Sequence, residues 1–429
     1  MTTDTISTTG RPFGFWTATA LVIGGMIGSG IFVLPSQLAP FGWTGVMGWL
    51  AAVGGALVLA WVISRLVIAM PESTGVVAIC GDGLGPLPGV LLGWSYWVGV
   101  FSANAFIALT AIRYLGVFWP PLVASPLALV SGAAVLIALL TLLNLRGAPA
   151  AGRFQVVTTL LKLLPLIAVV VILAGLGLAG GGQFSASPHP ALEWSKLTPA
   201  VTMAFFAVVG FESAGVAAER VRDPARNVVR ATLFGVTLTG LLYIVVSTGI
   251  VFAMPVETVA GANAPMALFV ETFWGRSAGL AVAGFAAIAA IGCLNGWVLI
   301  QGELPLGMAR AGLLPRWIGR TSSREVPVTA LLLGSGLAIL LVLSNANQSS
   351  ARLYDFILLL TSAATLWLYV GICLTALVKR VAPVAAAVGL VFAGWALWGA
   401  GTEALYYSLG LMLTAVPLYF LRPREEAPE

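Results

Sequence analysis

The sequence contains few charged residues, few cysteines and almost no histidine. Only 9% of its 429 residues are charged, compared with about 25% in a typical soluble domain, so the chain lies outside the soluble class. Its three cysteines, Cys80, Cys293 and Cys373, lack metal-site spacing, and we expect them to pack in the interior. With His189 as the single histidine, a zinc or haem site is not expected. We therefore predict no cofactor, no metal and no enzyme activity.

Apolar residues make up 59% of the chain instead, and they occur in long runs. About 20 apolar residues span the hydrocarbon core of a bilayer. The runs therefore predict an all-α polytopic membrane protein with about 12 transmembrane helices. The predicted spans are 13–38, 43–70, 86–118, 126–145, 154–178, 197–217, 228–252, 264–301, 327–344, 353–378, 382–400 and 403–421.

Basic residues other than Lys162 are distributed unequally between the two sides of the membrane. If the N-terminus faces the cytoplasm, sixteen fall on the cytoplasmic side and four, Arg113, Lys196, Arg276 and Arg352, fall outside. Cytoplasmic loops carry the excess of positive charge, so both termini are predicted to be cytoplasmic. These loops explain the net charge of +5. We therefore expect contacts with membrane lipid and no nucleic-acid partner.

Two of the predicted spans are interrupted by glycines and polar residues. Span 1 contains GGMIGSGIFVLP (Gly24 to Pro35), and span 6 contains AVVGFESAG (Ala207 to Gly215). Non-helical backbone at membrane depth is tolerated only where protein buries it or where it lines a wet cavity. Interruptions at corresponding places in two halves indicate the binding site of a secondary transporter. Close helix packing at small residues is the alternative explanation.

The two interrupted spans are five spans apart, so the two halves have opposite orientations in the membrane. We predict a five-plus-five inverted repeat, with helices 1 and 6 broken at the midplane. The repeats cover 13–178 and 197–378, and helices 11 and 12 follow in 382–421. Residues 1–12 and 422–429 are left as cytoplasmic tails.

The interruptions predict a clamp for the backbone of an α-amino acid. Ser29 and Gly30 would present N–H groups at the positive end of a helix, which suits a carboxylate. Val209 and Gly210 would expose carbonyl groups that suit an ammonium group. Ile27, beside the first interruption, is also assigned to this substrate site.

Two ionisable residues are predicted at membrane depth, where a charge costs at least ~2.5 kcal/mol and is a functional candidate by default. Glu212 follows the second interruption, and we expect it to couple a proton or to act in gating. The alternatives for Glu212 are a structural hydrogen bond to a neighbouring backbone amide or an exposed position in a vestibule. Lys162 is expected to take the place of a sodium ion among carbonyls near the first interruption, and otherwise to extend towards the cytoplasmic end.

Asn104 and Trp297 are the candidates for recognition of the substrate side chain. Asn104 offers both a donor and an acceptor, and Trp297 can stack on a flat cation or close a pathway. The chain has fourteen tryptophans, so packing or a place in the interfacial belt is the alternative for Trp297. Glu303 is expected to end span 8 at the start of a cytoplasmic loop.

Four segments in this order resemble the amino acid–polyamine–organocation superfamily, particularly its basic amino acid/polyamine antiporter branch. The resemblance covers nearly the whole chain and implies the fold of the leucine transporter, alternating access and a homodimer. The segments are GGMIGSGIFVLP, PESTGVVAICGDGLGP, GFESAGVAAERVRDPARN and GMARAGLLPRW.

The resemblance also implies roles for individual residues of the substrate site. Ser29 and Gly30 match the carboxylate-binding pair of the family. Val209 and Gly210 match carbonyl positions near the substrate amine, and Asn104 matches an asparagine near the substrate side chain.

Further matches concern coupling and gating. Glu212 matches an acidic residue tied to the pH response, and Trp297 matches a gate tryptophan. Phe206 stands where arginine/agmatine-exchanging members have tryptophan, which weakens an assignment of arginine. Lys162 matches a lysine typical of sodium-independent, proton-coupled permeases, so features of two branches are combined.

The leading hypothesis is a sodium-independent secondary transporter that exchanges cationic amino acids or their amines. The main alternative is a proton-coupled symporter of neutral amino acids, with Lys162 and Glu212 in the proton path. A membrane sensor that keeps the fold without transport is a third hypothesis. The absence of a cytosolic signalling domain disfavours it.

Overall fold

The structure is a computed structural model in which residues 14–73, 75–146, 161–180, 189–212, 221, 223–323, 325–344, 346 and 350–422 are described. Within these ranges the regular elements are helices. The first seven are α1 Phe15–Met26, α2 Gly30–Leu38, α3 Trp43–Ala69, α4 Val76–Leu84, α5 Pro86–Leu115, α6 Pro126–Asn144 and α7 Leu163–Leu178. The others are α8 Leu197–Val208, α9 Pro224–Ala253, α10 Val256–Ala260, α11 Pro265–Trp274, α12 Arg276–Arg310, α13 Val328–Ser344, α14 Ser350–Val378, α15 Pro383–Gly399, α16 Gly401–Leu413 and α17 Ala415–Phe420.

Six of the described helices are long and apolar enough to cross a membrane, and two bent pairs raise this number to eight. The six are α3, α5, α6, α9, α12 and α14. One bent pair is α1 with α2, at 49°, and the other is α15 with the segment of α16 and α17, at 110°. Predicted spans 5, 6 and 9 correspond to α7, α8 and α13, which have described lengths of 16, 12 and 17 residues. The chain is therefore a polytopic, all-helical membrane protein.

The prediction of span 8 as residues 264–301 is wrong. Gly275 adopts a φ of 85° and separates α11 from α12, and α12 then continues to Arg310. Long apolar stretches lie on both sides of this glycine, and the prediction joins them across Glu271 and Arg276. Glu303, which was expected at the end of the span, consequently lies about two turns inside α12.

Helix α5 occupies the centre of the bundle. In an apolar stretch of 18 residues of this helix, 94% of the residues are buried. The helix packs against α12, α14 and α6. We call the end of the bundle where α5 ends, at Leu115, the outer end. The opposite end, where α12 ends at Arg310, is called the inner end. By the distribution of basic residues, the inner end is the predicted cytoplasmic one.

A proline inside α12 explains how this helix is fixed to α5. Pro305 has no N–H group, so the carbonyl of Gln301 lacks its helical donor. Trp97 Nε1 on α5 donates to that carbonyl at 2.8 Å. The Gln301 side chain also accepts from Asn104 Nδ2 at 2.8 Å and donates to Ser335 Oγ at 3.0 Å. These buried hydrogen bonds hold α5, α12 and α13 together in the interior of the bundle.

Candidate functional site

The first predicted interruption is present between two helices, and at the second the described helix ends. α1 ends at Met26 and α2 begins at Gly30, with the intervening residues outside either helix. α8 ends at Val208, and Val209 has an extended ψ of 145°. Gly210 then adopts a φ of 112°, which only glycine tolerates readily. The rest of the predicted sixth span, 213–217, lies outside the described residues.

The two breaks lie directly against each other. A Cβ atom on Gly210 would lie 2.5 Å from the carbonyl oxygen of Gly25. A Cβ atom on Gly30 would lie 3.1 Å from the Cα of Ala207. Gly210 is therefore needed for the close approach of the two breaks, and a Cβ atom on Gly30 would be packed tightly against Ala207.

A small central pocket of about 40 Å³ lies where the breaks meet. It has room for only a few water molecules. The start of α2 borders it with N–H groups, and the end of α8 borders it with carbonyl groups, that lack a partner within their own helix. The breaks contribute Gly25, Met26, Gly28, Ser29, Gly30, Phe206, Ala207 and Val209 to its lining.

The remaining walls of the central pocket come from α5, α12 and α14. Thr361, Ser362 and Thr365 of α14 supply hydroxyl groups that sequence reasoning missed. Their spacing in an otherwise apolar helix is the signal that could have found them. Among the described residues that line the pocket, none is an aspartate, glutamate, lysine or arginine. The other lining residues are Tyr96, Gly99, Val100, Ala103, Ile107, Cys293 and Trp297.

The predicted substrate residues are distributed unevenly around this pocket. Ile27 is 1% exposed and is not part of its lining. Asn104 is fully buried, and its Nδ2 is occupied by Gln301, so this amide lies in the wall rather than at the pocket surface. The structure places Ser29, Gly30, Phe206, Val209 and Trp297 at the pocket.

A larger cavity of about 560 Å³ lies beside the central pocket, and we call it the inner cavity. Gly25, Tyr96, Cys293 and Trp297 line both spaces. Gly210 lines the inner cavity. The far wall of this cavity, at the inner end, includes Val76, Ala78, Gly307, Met308, Ala311 and Leu313. Trp297 therefore lies at the boundary between the central pocket and a space that extends towards the predicted cytoplasm.

Glu212 is 4% exposed and accepts three hydrogen bonds. Tyr96 Oη and Tyr369 Oη each donate at 2.8 Å, and the backbone N–H of Gly210 donates at 3.1 Å. The hydrogen bond between Glu212 and a backbone amide, which the sequence analysis gave as an alternative, is thus present. The two tyrosines, 116 and 157 residues away in the chain, were missed. The carboxylate joins the second break to α5 and α14.

Lys162 is 6% exposed, and its Nζ donates to the carbonyl of Gly24 at 2.5 Å. The ammonium group therefore lies at the first break and not at the inner surface. Elsewhere, the described residues include no group of three or more histidines, cysteines or carboxylates placed to hold a metal ion.

The outer side of the central pocket is covered by aromatic rings. Phe206 packs against Phe106 with ring centroids 4.7 Å apart, and Phe106 packs against Tyr354 at 5.3 Å. The guanidinium carbon of Arg113 lies 3.8 Å from the centroid of the Tyr354 ring. Because Arg113 is only 6% exposed, this cation–π contact is well shielded from water.

Comparisons with known proteins are consistent with this geometry. A family model described as amino acid permease matches residues 13–420. The chain is similar to the cadaverine/lysine antiporter of Escherichia coli (strain K12), with 28% identity over 366 residues, 83% of this chain and 80% of that protein. It is similar to the putrescine transporter PotE of Haemophilus influenzae, with 25% identity over 402 residues, 91% of this chain and 92% of that protein. The Escherichia coli (strain K12) PotE is 26% identical over 427 residues, 95% of each chain.

Proposed function

The chain belongs to the amino acid permease family, and we propose that it exchanges cationic amino acids or their amines across the bacterial inner membrane by alternating access. It is a transporter and not an enzyme. Cationic substrates are supported by the names of its relatives, a cadaverine/lysine antiporter and putrescine transporters. Exchange as the mode of transport has support from the first of these names.

The central pocket is the observation that carries this function. The positive start of α2 and the negative end of α8 border one small space. A helix start attracts a carboxylate and a helix end attracts an ammonium group. In our proposal the substrate carboxylate binds the N–H groups of Ser29 and Gly30, and its α-ammonium binds carbonyls near Val209 and Gly210.

Lys162 supports independence from sodium. Its ammonium group donates to the carbonyl of Gly24 at the first break. Carbonyl oxygens at such a break are also ligands for a sodium ion in broken-helix transporters. In our proposal the lysine supplies the positive charge that an ion would otherwise bring.

Helix packing supports an inverted repeat of 13–178 and 197–378. In such a repeat, the contact of span 1 with span 7 corresponds to the contact of span 6 with span 2. α1 packs on α9 and α8 packs on α3, which are these two contacts. The contact of α5 with α6 has its counterpart in that of α12 with α13. The proposal includes twelve spans, with 382–421 as the last two and both termini in the cytoplasm.

The transport cycle we propose uses aromatic side chains on both sides of the substrate. Trp297 lies between the central pocket and the inner cavity, and Phe206 lies under the outer aromatic rings. Movement of Trp297 would join the pocket to the inner cavity. Separation of Phe206 from Phe106 would open the pocket outwards. Alternation of these two movements carries the substrate across.

A proton-coupled symporter of neutral amino acids is the second candidate function. One observation favours it: no charged side chain among the described residues lines the central pocket. A neutral substrate needs no counter-charge there. Lys162 and Glu212, which line the inner cavity, would then carry the proton.

Uptake into proteoliposomes separates the two functions. Vesicles are preloaded with unlabelled lysine, arginine, ornithine, cadaverine or putrescine and compared with empty vesicles under an imposed proton gradient. Uptake of labelled lysine that requires an internal cation, with or without external sodium, supports the sodium-independent antiporter. Uptake of neutral amino acids into empty vesicles, driven by the gradient and lost on Lys162→Ala, supports the symporter instead.

A further inference from the structure

The inner cavity is lined by two carboxylates and one lysine within the described part of the chain: Glu212, Glu303 and Lys162. Two of these groups already have protein partners. Lys162 donates to the Gly24 carbonyl, and Glu212 accepts three hydrogen bonds. Glu303 is exposed to the cavity and makes no hydrogen bond or ion pair with the described residues. Of the two carboxylates, Glu303 is therefore the one with bonding capacity for a ligand.

Glu303 lies on the same face of α12 as Trp297. Trp297, Ile300, Glu303, Leu304 and Gly307 all line the inner cavity, at the spacing of one helix face. Glu303 follows Trp297 by six positions, which corresponds to a rise of about 9 Å along the helix. The carboxylate consequently lies between the central pocket and the inner end of the cavity.

The nearest basic residue on α12 does not fill this position. Arg310 lines a second cavity of about 210 Å³, which also includes Glu303 and Glu325, and it is not part of the inner-cavity lining. Glu303 thus borders both spaces, while Arg310 borders only the second. The charge of Arg310 acts on Glu303 from the second cavity. Among the described residues that line the inner cavity, the two carboxylates outnumber the one lysine.

We propose that Glu303 forms a second binding site, in the inner cavity, for the side-chain ammonium group of a cationic amino acid or diamine. This inference rests on the proposed exchange of cationic substrates. An ammonium group makes charge-assisted hydrogen bonds to a carboxylate, and apolar walls such as Val76, Ile300 and Leu304 strengthen the attraction. The site concentrates cations on the inner side and discriminates against neutral amino acids, which the uncharged central pocket does not do.

Exchange kinetics measured from each face of the membrane test this site. The full-length protein is studied in inside-out and right-side-out membrane vesicles, with labelled lysine and labelled cadaverine as probes. Glu303→Gln is compared with wild type and with Glu303→Asp, which keeps the charge. Glu325→Gln is the matched control, because Glu325 lies at the same end of the bundle but is absent from the inner-cavity lining.

Glu303→Gln is expected to raise the half-saturating concentration of both cations about tenfold at the inner face, as loss of one charge-assisted hydrogen bond implies. The outer-face value and the maximal exchange rate should change less than about twofold. Glu303→Asp should recover part of the affinity, and Glu325→Gln should resemble wild type. If wild type exchanges lysine, but Glu303→Gln leaves the half-saturating concentration unchanged or shifts it equally at both faces, the Glu303 site alone is overturned. Wild type that exchanges no cation overturns the proposed function, and the Glu303 site with it.

Discussion

The two ends of the bundle cover the same central pocket in different ways. At the inner end, Trp297 stands between the pocket and a cavity of about 560 Å³. At the outer end, Phe206, Phe106 and Tyr354 form successive ring contacts, and Arg113 covers the last ring. Among the described residues, the barrier is therefore thinner towards the predicted cytoplasm than towards the outside.

This difference indicates which parts of the molecule control access from each side. Access from the inner cavity requires rearrangement around one side chain, whereas access from outside requires several packed aromatic contacts to separate. Such contacts each contribute about 0.5–1.5 kcal/mol beyond their buried area. We infer that the described conformation is biased towards the inner side. Substitutions at the two ends should then have opposite consequences for inward and outward affinity.

The largest effect is expected from a substitution that disturbs the contact between the two breaks, because both ends of the bundle cover the pocket formed there. Gly210→Ala should reduce exchange by at least about 100-fold, because a Cβ atom would clash with the Gly25 carbonyl at 2.5 Å while φ is 112°. Initial exchange rates in proteoliposomes, normalised to the amount of inserted protein, measure this effect. Gly54→Ala is the control, because a Cβ atom there meets open space. Exchange by Gly210→Ala at the Gly54→Ala rate would contradict the proposed role of the second break.

The position of this break was predictable because its signals are local. Glycines inside an apolar run mark the interruptions at Gly28 and Gly210, and a solitary charge marks Lys162. Each of these signals lies in one short segment. In the structure the two breaks lie against each other, and Lys162 lies at the first break.

Other parts of the site were not predictable from one sequence. The hydrogen bonds from Tyr96 and Tyr369 to Glu212 join residues more than 100 positions apart, and no local pattern encodes such a pairing. The turn at Gly275 was missed because the apolar stretches before Glu271 and after Arg276 were joined into one span. Asn104 was predicted to face the substrate, whereas its amide is engaged by Gln301 in the wall. Side-chain polarity reveals that a residue needs a partner but not which partner it finds.

A second substitution sharpens the comparison at the inner end. Trp297→Leu should lower the exchange rate about tenfold or more while substrate binding changes less than about threefold, since the ring closes a path that leucine leaves open. Exchange rates and equilibrium binding of labelled lysine are measured on the same preparation. Trp317→Leu serves as the control, because Trp317 is 43% exposed and outside both spaces. Near-wild-type exchange by Trp297→Leu would remove the gate assignment.

The smallest expected effect concerns the outer end. Arg113→Gln removes the cation from the Tyr354 ring, at 3.8 Å, without shortening the side chain greatly. A shielded cation–π contact contributes about 1–2 kcal/mol. Its loss should favour the outward-open state, so that the half-saturating concentration falls about fivefold at the outer face and rises at the inner face. Opposite shifts at the two faces are the diagnostic result, and vesicles of both orientations measure them.

Tyr354→Phe is the matched variant for this last prediction, because it keeps the ring under Arg113 and removes only the hydroxyl group. It should leave both half-saturating concentrations within about twofold of wild type. If Arg113→Gln lowers exchange equally from both faces, the arginine only stabilises the fold and the outer barrier lies elsewhere. If the affinities shift in opposite directions, the thick outer barrier and the thin inner one are two sides of a single conformational equilibrium, because a contact at one end then sets the affinity at the other.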